Sequence, residues 1–134
     1  MKNIQILGPF NTGTNLIVKI LQSIGARCTA CSERLTWKHR IYKEKLEECI
    51  INNKNTLFIC MYKPIYQWIE SVKKHPYEIT WNKDIYSKCY FEGVNRTCRP
   101  ARELNQFEYE NIVELYNIYY LTYKYLIEKY NNVI

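Results

Sequence analysis

Three short stretches of this 134-residue chain bring together residue types that hold or move charge. The first, Gly8-Pro9-Phe10-Asn11-Thr12-Gly13-Thr14-Asn15, has its two glycines five positions apart, the spacing of the Walker A motif G-x-x-x-x-G-K-[ST]. Thr14 stands where that motif has its lysine, and Asn15 where it has the magnesium-binding hydroxyl. Glycines in such a loop let main-chain N–H groups converge on a helix N-terminus, where the helix dipole stabilises an anion. A phosphate suits this loop. A triphosphate with Mg²⁺ does not, because the cation for the β/γ-phosphates and the hydroxyl for the metal are both missing. Taken alone, the segment reads equally well as a plain glycine turn.

The second stretch, Trp37-Lys38-His39, offers an imidazole for general-base work beside an ammonium group. The third pairs Lys63, at the end of an apolar run, with Ser71 eight residues on. Each is ordinary by itself: a lone histidine is more often packing or surface, and a strand-end lysine and a helical serine need no ligand. Six cysteines add no chemistry. Cys28-Thr29-Ala30-Cys31 lacks the second pair of a zinc site, Cys60 lies in an apolar strand, and Cys89 and Cys98 bracket a polar loop. They read as reduced structural thiols, and no metal site is expected. The Asn95-Arg96-Thr97 glycosylation triplet carries little weight without a secretory signal.

The elements that must position these groups follow from periodicity. Asn3 to Leu7 predicts a strand, and Thr14 to Ile24 a helix with Leu16, Ile17, Ile20, Leu21 and Ile24 on one stripe, closed by Gly25. Residues 26–40 read as a short strand, a turn and a second extended piece ending at Arg40. Tyr42 to Ile51 is a charged amphipathic helix. Thr56 to Tyr62 is apolar throughout, as a strand buried on both faces would be. A helix follows from Pro64 to about Lys74, proline being tolerated in a first turn. Residues 75–105 read as irregular, and a last helix runs from Phe107 to Tyr130 with Ile112, Leu115, Tyr119, Tyr123 and Leu126/Ile127 facing the core. Strands alternating with helices, without hairpin signals, indicate one α/β domain over residues 1–134 with a small parallel sheet flanked by helices. The three polar stretches then fall at the carboxyl ends of its strands, where open α/β sheets gather ligands.

Composition is consistent with a globular chain. Nineteen Lys and Arg against thirteen Asp and Glu give +6, which favours a polyanionic ligand. The basic residues are scattered, so no nucleic acid is expected as a partner. No run approaches the roughly 20 apolar residues of a membrane span, and no signal peptide is expected ahead of the first strand. A soluble, cytoplasmic protein without membrane contact is expected. The excess of Tyr, Asn, Ile and Lys fits an AT-rich genome, such as a viral one.

Together the three stretches resemble the sulfotransferase family, in particular small microbial and viral members. Gly13-Thr14 after a strand is similar to the family loop K/R-S-G-T-[TSN], which grips the 5′-phosphosulfate of 3′-phosphoadenosine 5′-phosphosulfate. Trp37-Lys38-His39 resembles the family's tryptophan–lysine–histidine segment. Tyr62 to Ser71 resembles its 3′-phosphate motif R-x-P-x-x-x-x-x-S, with Lys63 and Ser71 on the contacting positions and Lys73-Lys74-His75-Pro76-Tyr77 continuing it. The likeness spans residues 3–77 and, more loosely, the last helix. It implies a three-layer, P-loop NTPase-like architecture and sulfuryl transfer without a metal.

In the chemistry so implied, His39 takes the acceptor's proton. Backbone amides of Thr12 to Asn15, the Thr14 hydroxyl and Lys38 stabilise the phosphosulfate, Asn11, Thr12, Gly13, Thr14 and Asn15 form the loop, and Lys63 and Ser71 hold the 3′-phosphate. The acceptor is a glycan, a tyrosyl group or a small phenol, with residues 78–105 (Arg96, Arg99 and Arg102 among them) as its lid. Trp68 is expected to pack rather than stack on adenine. Asn11 stands where most members carry Lys or Arg, so weaker transition-state stabilisation is expected unless Lys38 substitutes for the missing charge. Lys63 keeps the charge of the family's arginine without its fork. At Asn132-Val133-Ile134 the family would enter a further strand. The competing readings are a nucleotide-binding protein of the same fold that performs no transfer and, less well supported, a nucleotide kinase.

Overall fold

The computed structural model describes residues 3–29, 35–36, 38–91 and 107–134. Trp37, Cys31, Cys98 and the three lid arginines named above lie outside them.

Strand β1 (Asn3–Leu7) leads through the glycine loop into helix α1 (Thr14–Ser23), and β2 (Cys28–Thr29) follows. Helix α2 (Lys43–Asn52), strand β3 (Thr56–Cys60) and helix α3 (Ile65–Lys74) come next. β1 lies between β2 and β3 and runs parallel to both. Beyond the named strands, Met61 N–H donates to Leu7 O at 2.7 Å, so the β1–β3 ladder continues to the loop that carries Lys63. On the far edge of β3, Val133 forms a parallel bridge with Phe58, and Cys60 N–H donates to Ile134 O at 2.7 Å. Residues 132–134 thus lie beside β3 through an isolated bridge and are not a strand.

Side chains alternate along a strand, so Gln5 and Leu7 share one face with their register partners Phe58 and Cys60. From Leu7 and Phe58 the main core extends through Leu46 and Ile50 of α2, Trp68 and Val72 of α3, and one side of the last helix, α4 (Ile112–Lys129). Ile112, Leu115, Tyr119, Tyr123 and Leu126 are all buried, as the spacing predicts, whereas Ile127 is exposed. β3 is not buried on both faces: Leu57, Ile59 and Cys60 are half-covered, with Phe58 alone of its apolar residues fully enclosed.

Three further expectations are corrected. The α1 stripe does not face a core, since Leu16, Ile20 and Ile24 are 63%, 49% and 75% exposed. α1 lies against the narrow β1–β2 part of the sheet, and covering a stripe takes a broader surface than two strands present. Residues 75–105 are not wholly irregular. β4 (Ile79–Trp81) and β5 (Cys89–Phe91) form an antiparallel hairpin, to which β6 (Phe107–Tyr109) adds. The hairpin carries no glycine or proline signal because side chains fold its turn: Asn82 Oδ1 accepts from Asp84 N–H at 2.9 Å, and Asp84 Oδ1 accepts from Tyr86 N–H at 3.0 Å. Finally, the last helix starts at Ile112 rather than Phe107. Asn111 caps it by accepting from Glu114 N–H at 2.9 Å, while Glu114 reaches back to Glu110 N–H at 2.7 Å, and the residues before the cap pair with β5.

Candidate functional site

The glycine loop owes its shape to two positions. A Cβ on Gly8 would sit 2.7 Å from Thr12 Oγ1, 2.9 Å from Thr14 Cγ2 and 3.0 Å from the Met61 Cβ, so the loop closes over position 8 only if it has no side chain. Gly13 takes φ +80° as the residue before α1. No side chain caps α1 and no acidic residue lies in its first turn. The residues of its first turn border the adjoining cavity, where the helix dipole favours an anion.

That cavity has a volume of about 370 Å³ and is bordered by Asn11, Gly13, Thr14, Asn15, Lys38 and His39, together with Phe10, Leu16 and Tyr77. The fold thus unites the loop with the Lys38-His39 segment, which forms a turn rather than the expected extended piece. Gly8 N–H donates to Lys38 O at 2.7 Å, tying this turn to the end of β1. The Lys38 ammonium reaches over α1 and donates to Asn15 Oδ1.

His39 is 5% exposed. Its Nδ1 lies 2.6 Å from the Gly8 carbonyl oxygen. A carbonyl only accepts, so Nδ1 carries the proton, and in the neutral ring Nε2 is then the basic nitrogen. From the other side, Tyr119 Oη of α4 donates to His39 O at 2.6 Å. Ring and backbone of the imidazole are both held.

Lys63 and Ser71 do not border the cavity, but the fold joins them: Lys63 Nζ donates to Ser71 Oγ at 2.8 Å and to Asn11 O at 3.4 Å. Their cluster adjoins the glycine loop through Asn11. Ser71 Oγ in turn donates to Gln67 O, and Tyr116 Oη of α4 donates to Lys63 O at 2.7 Å. Asn11 has a structural task, with φ 62° and Nδ2 donating to His75 O at 2.9 Å. The left-handed conformation favours asparagine over lysine or arginine there. Thr12 is buried with its hydroxyl turned to Pro9 O at 2.7 Å, so only its backbone remains for a ligand. Thr14 is buried as well. Trp68 is fully enclosed, its Nε1 donating to Phe10 O at 2.7 Å, and it packs as expected.

Sequence reasoning missed Phe10, Tyr77 and the two α4 hydroxyls. Phe10 and Tyr77 stand in turns whose local pattern shows no direction for a side chain. Tyr119 lay on the core stripe, which predicts its burial and not the partner of its hydroxyl. Among the described residues no group of three His, Cys, Asp or Glu could hold a metal ion, and no helix is long and apolar enough to cross a membrane. No family model, curated protein or solved structure matches the chain.

Proposed function

We propose that the chain is a sulfotransferase of the P-loop, three-layer α/β type that moves a sulfuryl group from 3′-phosphoadenosine 5′-phosphosulfate to an acceptor hydroxyl or amine. One observation carries the reading: a buried histidine with Nδ1 on the Gly8 carbonyl borders the same cavity as an uncapped, glycine-led helix N-terminus. A base and an anion site meet there without the lysine–hydroxyl pair that Mg²⁺–triphosphate needs. The donor fits these residues, having a phosphosulfate for the loop and a separate 3′-phosphate for Lys63 and Ser71.

In this mechanism His39 Nε2 takes the acceptor proton as the acceptor atom attacks sulfur. A bond forms between that atom and sulfur, and the bond from sulfur to the bridging oxygen breaks, its electron pair leaving with the phosphate. Main-chain N–H groups of α1's first turn and Lys38 stabilise the charge that builds on the departing oxygen. Lys38 supplies what Asn11 cannot. A cytoplasmic location belongs to the same proposal.

Thermal shift tests the donor. 3′,5′-adenosine bisphosphate should raise the melting temperature and ATP–Mg²⁺ should not; the reverse result defeats the reading in favour of a kinase. His39→Ala should then lower labelled-sulfate transfer by about 10²- to 10⁴-fold while bisphosphate binding persists. Transfer that survives this substitution removes His39 as the base. A second reading, a binding protein of this fold without transfer, draws on Asn11, whose uncharged side chain is committed to His75 O. Bisphosphate binding without transfer to glycan, tyrosyl or phenol acceptors would select it.

A further inference from the structure

Helix α4 meets the site twice without bordering its cavity. Tyr119 Oη donates to His39 O at 2.6 Å, and Tyr116 Oη donates to Lys63 O at 2.7 Å. Residues three apart share one helix face, so a single stretch of α4 carries both hydroxyls. Each acceptor is the main-chain carbonyl of a residue whose side chain the glycine loop holds. His39 Nδ1 lies 2.6 Å from Gly8 O, and Lys63 Nζ donates to Asn11 O at 3.4 Å. The base and the strand-end lysine are therefore each fixed from two sides, by the glycine loop through the side chain and by α4 through the backbone. Both tyrosines are buried, Tyr116 with its ring 5.3 Å from that of Trp68. Among the described residues, none of α4 borders the cavity.

From this closed circuit we infer that Tyr116 and Tyr119 are positioning residues. Through them α4 sets the separation between the glycine-loop cavity with its base and the Lys63–Ser71 pair, and with it the spacing of the two anions that the site accepts. This rests on the proposed donor for the ligand and on the hydrogen bonds alone for the ruler. A ligand with two anions gains over a one-anion ligand only when both contact points stand at its own spacing, because the second contact is then made within the complex. Removing a hydroxyl leaves a loop carbonyl without its donor. The loop then shifts to find water, and the spacing is lost while each half of the site keeps its own groups. Phenylalanine in place of either tyrosine keeps the ring and its packing, so the change is confined to the tether.

Titration calorimetry with 3′,5′-adenosine bisphosphate and 5′-adenosine monophosphate reads the spacing. The native chain should bind the bisphosphate more tightly. Tyr116→Phe and Tyr119→Phe should each weaken the bisphosphate by roughly threefold to tenfold, the worth of one hydrogen bond, and leave the monophosphate within about twofold. The double variant should lose most of the bisphosphate's advantage. A loss shared equally by both ligands shows a general loosening of the fold, and no loss for either shows that α4 sets nothing; both results overturn the inference. If the native chain binds the two ligands alike, the 3′-phosphate reading falls, and the ruler is then read without ligand from the imidazole nitrogen-15 shifts of His39. These should report a fixed Nδ1–H tautomer in the native chain and an averaged one in Tyr119→Phe. A tautomer still fixed in that variant overturns the positioning role.

Discussion

Helices α1 and α4 begin in opposite ways. The N-terminus of α4 is closed by its own chain, with Asn111 Oδ1 on Glu114 N–H and Glu114 folded back to Glu110. α1 begins at a left-handed glycine with no capping side chain and no acid in its first turn. The difference continues along each helix: α4 buries its stripe, and α1 exposes Leu16, Ile20 and Ile24. α4 also spends two hydroxyls on the site, Tyr119 on His39 O and Tyr116 on Lys63 O. One helix is satisfied internally and supports the loops; the other has, among the described residues, no capping side chain and no acid at its positive end. An orphan N–H group that the fold does not satisfy is a place where a ligand gains most.

The contrast can be broken at four points, taken from the strongest effect. Gly8→Ala forces a Cβ into Thr12, Thr14 and Met61, so the loop opens. Stability should fall by about 1–3 kcal/mol in denaturant titration, with loss of bisphosphate binding. Asn15→Asp gives α1 the first-turn acid that α4 already has. The free protein should melt higher while the bisphosphate binds about tenfold more weakly, an acid at a helix N-terminus being worth some 0.3–1 kcal/mol and a like charge costing the anion at least as much. If both quantities move together, the N-terminus is not the anion site.

Asn111→Ala is the matched change at α4. It should cost about 1 kcal/mol of stability and leave bisphosphate affinity unchanged, as read by calorimetry. The smallest effect lies where α4 meets α2. Glu47 Oε1 accepts from Lys129 Nζ at 2.7 Å, Tyr130 Oη at 2.8 Å and Tyr125 Oη at 2.9 Å. The Lys129 hydrogen bond, followed by that of Tyr130, lowers the Glu47 carboxyl from 4.5 to about 2. A lowered folded-state value means that this contribution is complete above pH 4.5 and is lost as the pH falls toward 2. Stability measured across that window should decline less in Glu47→Gln than in the native chain. Parallel slopes would show that Glu47 does not hold α4.

Much of the scaffold was legible in the chain because it rests on local rules. Short apolar runs placed β1 and β3, and helical periodicity and the Pro64 start placed α2 and α3, all to within a residue or two, and the glycine spacing located the loop. The hairpin at Ile79 to Phe91 escaped because each strand is three residues long and its turn is folded by Asn82 and Asp84 side chains rather than by glycine. The fate of the α1 stripe escaped as well, since periodicity shows that apolar residues share a face and not whether anything covers it. At the site, Lys63 and Ser71 were paired through the family motif they resemble rather than through local periodicity, and the structure brings them to 2.8 Å.

By itself, then, the sequence determined the alternation of strands and helices from β1 to α3, the parallel sheet and the identity of the polar groups at its strand ends, but not the antiparallel strands β4, β5 and β6. Only the tertiary structure decided that His39 turns Nδ1 onto Gly8 and that Asn11 is held by His75. It alone laid the Tyr77 ring over Phe10 at the cavity rim. The physical reason is range. Strand and helix patterns follow from backbone geometry repeated over a few residues, whereas a hydrogen bond between residues 8 and 39 or 11 and 75 exists only once a core of Leu7, Phe58, Trp68 and Tyr119 has drawn those loops together.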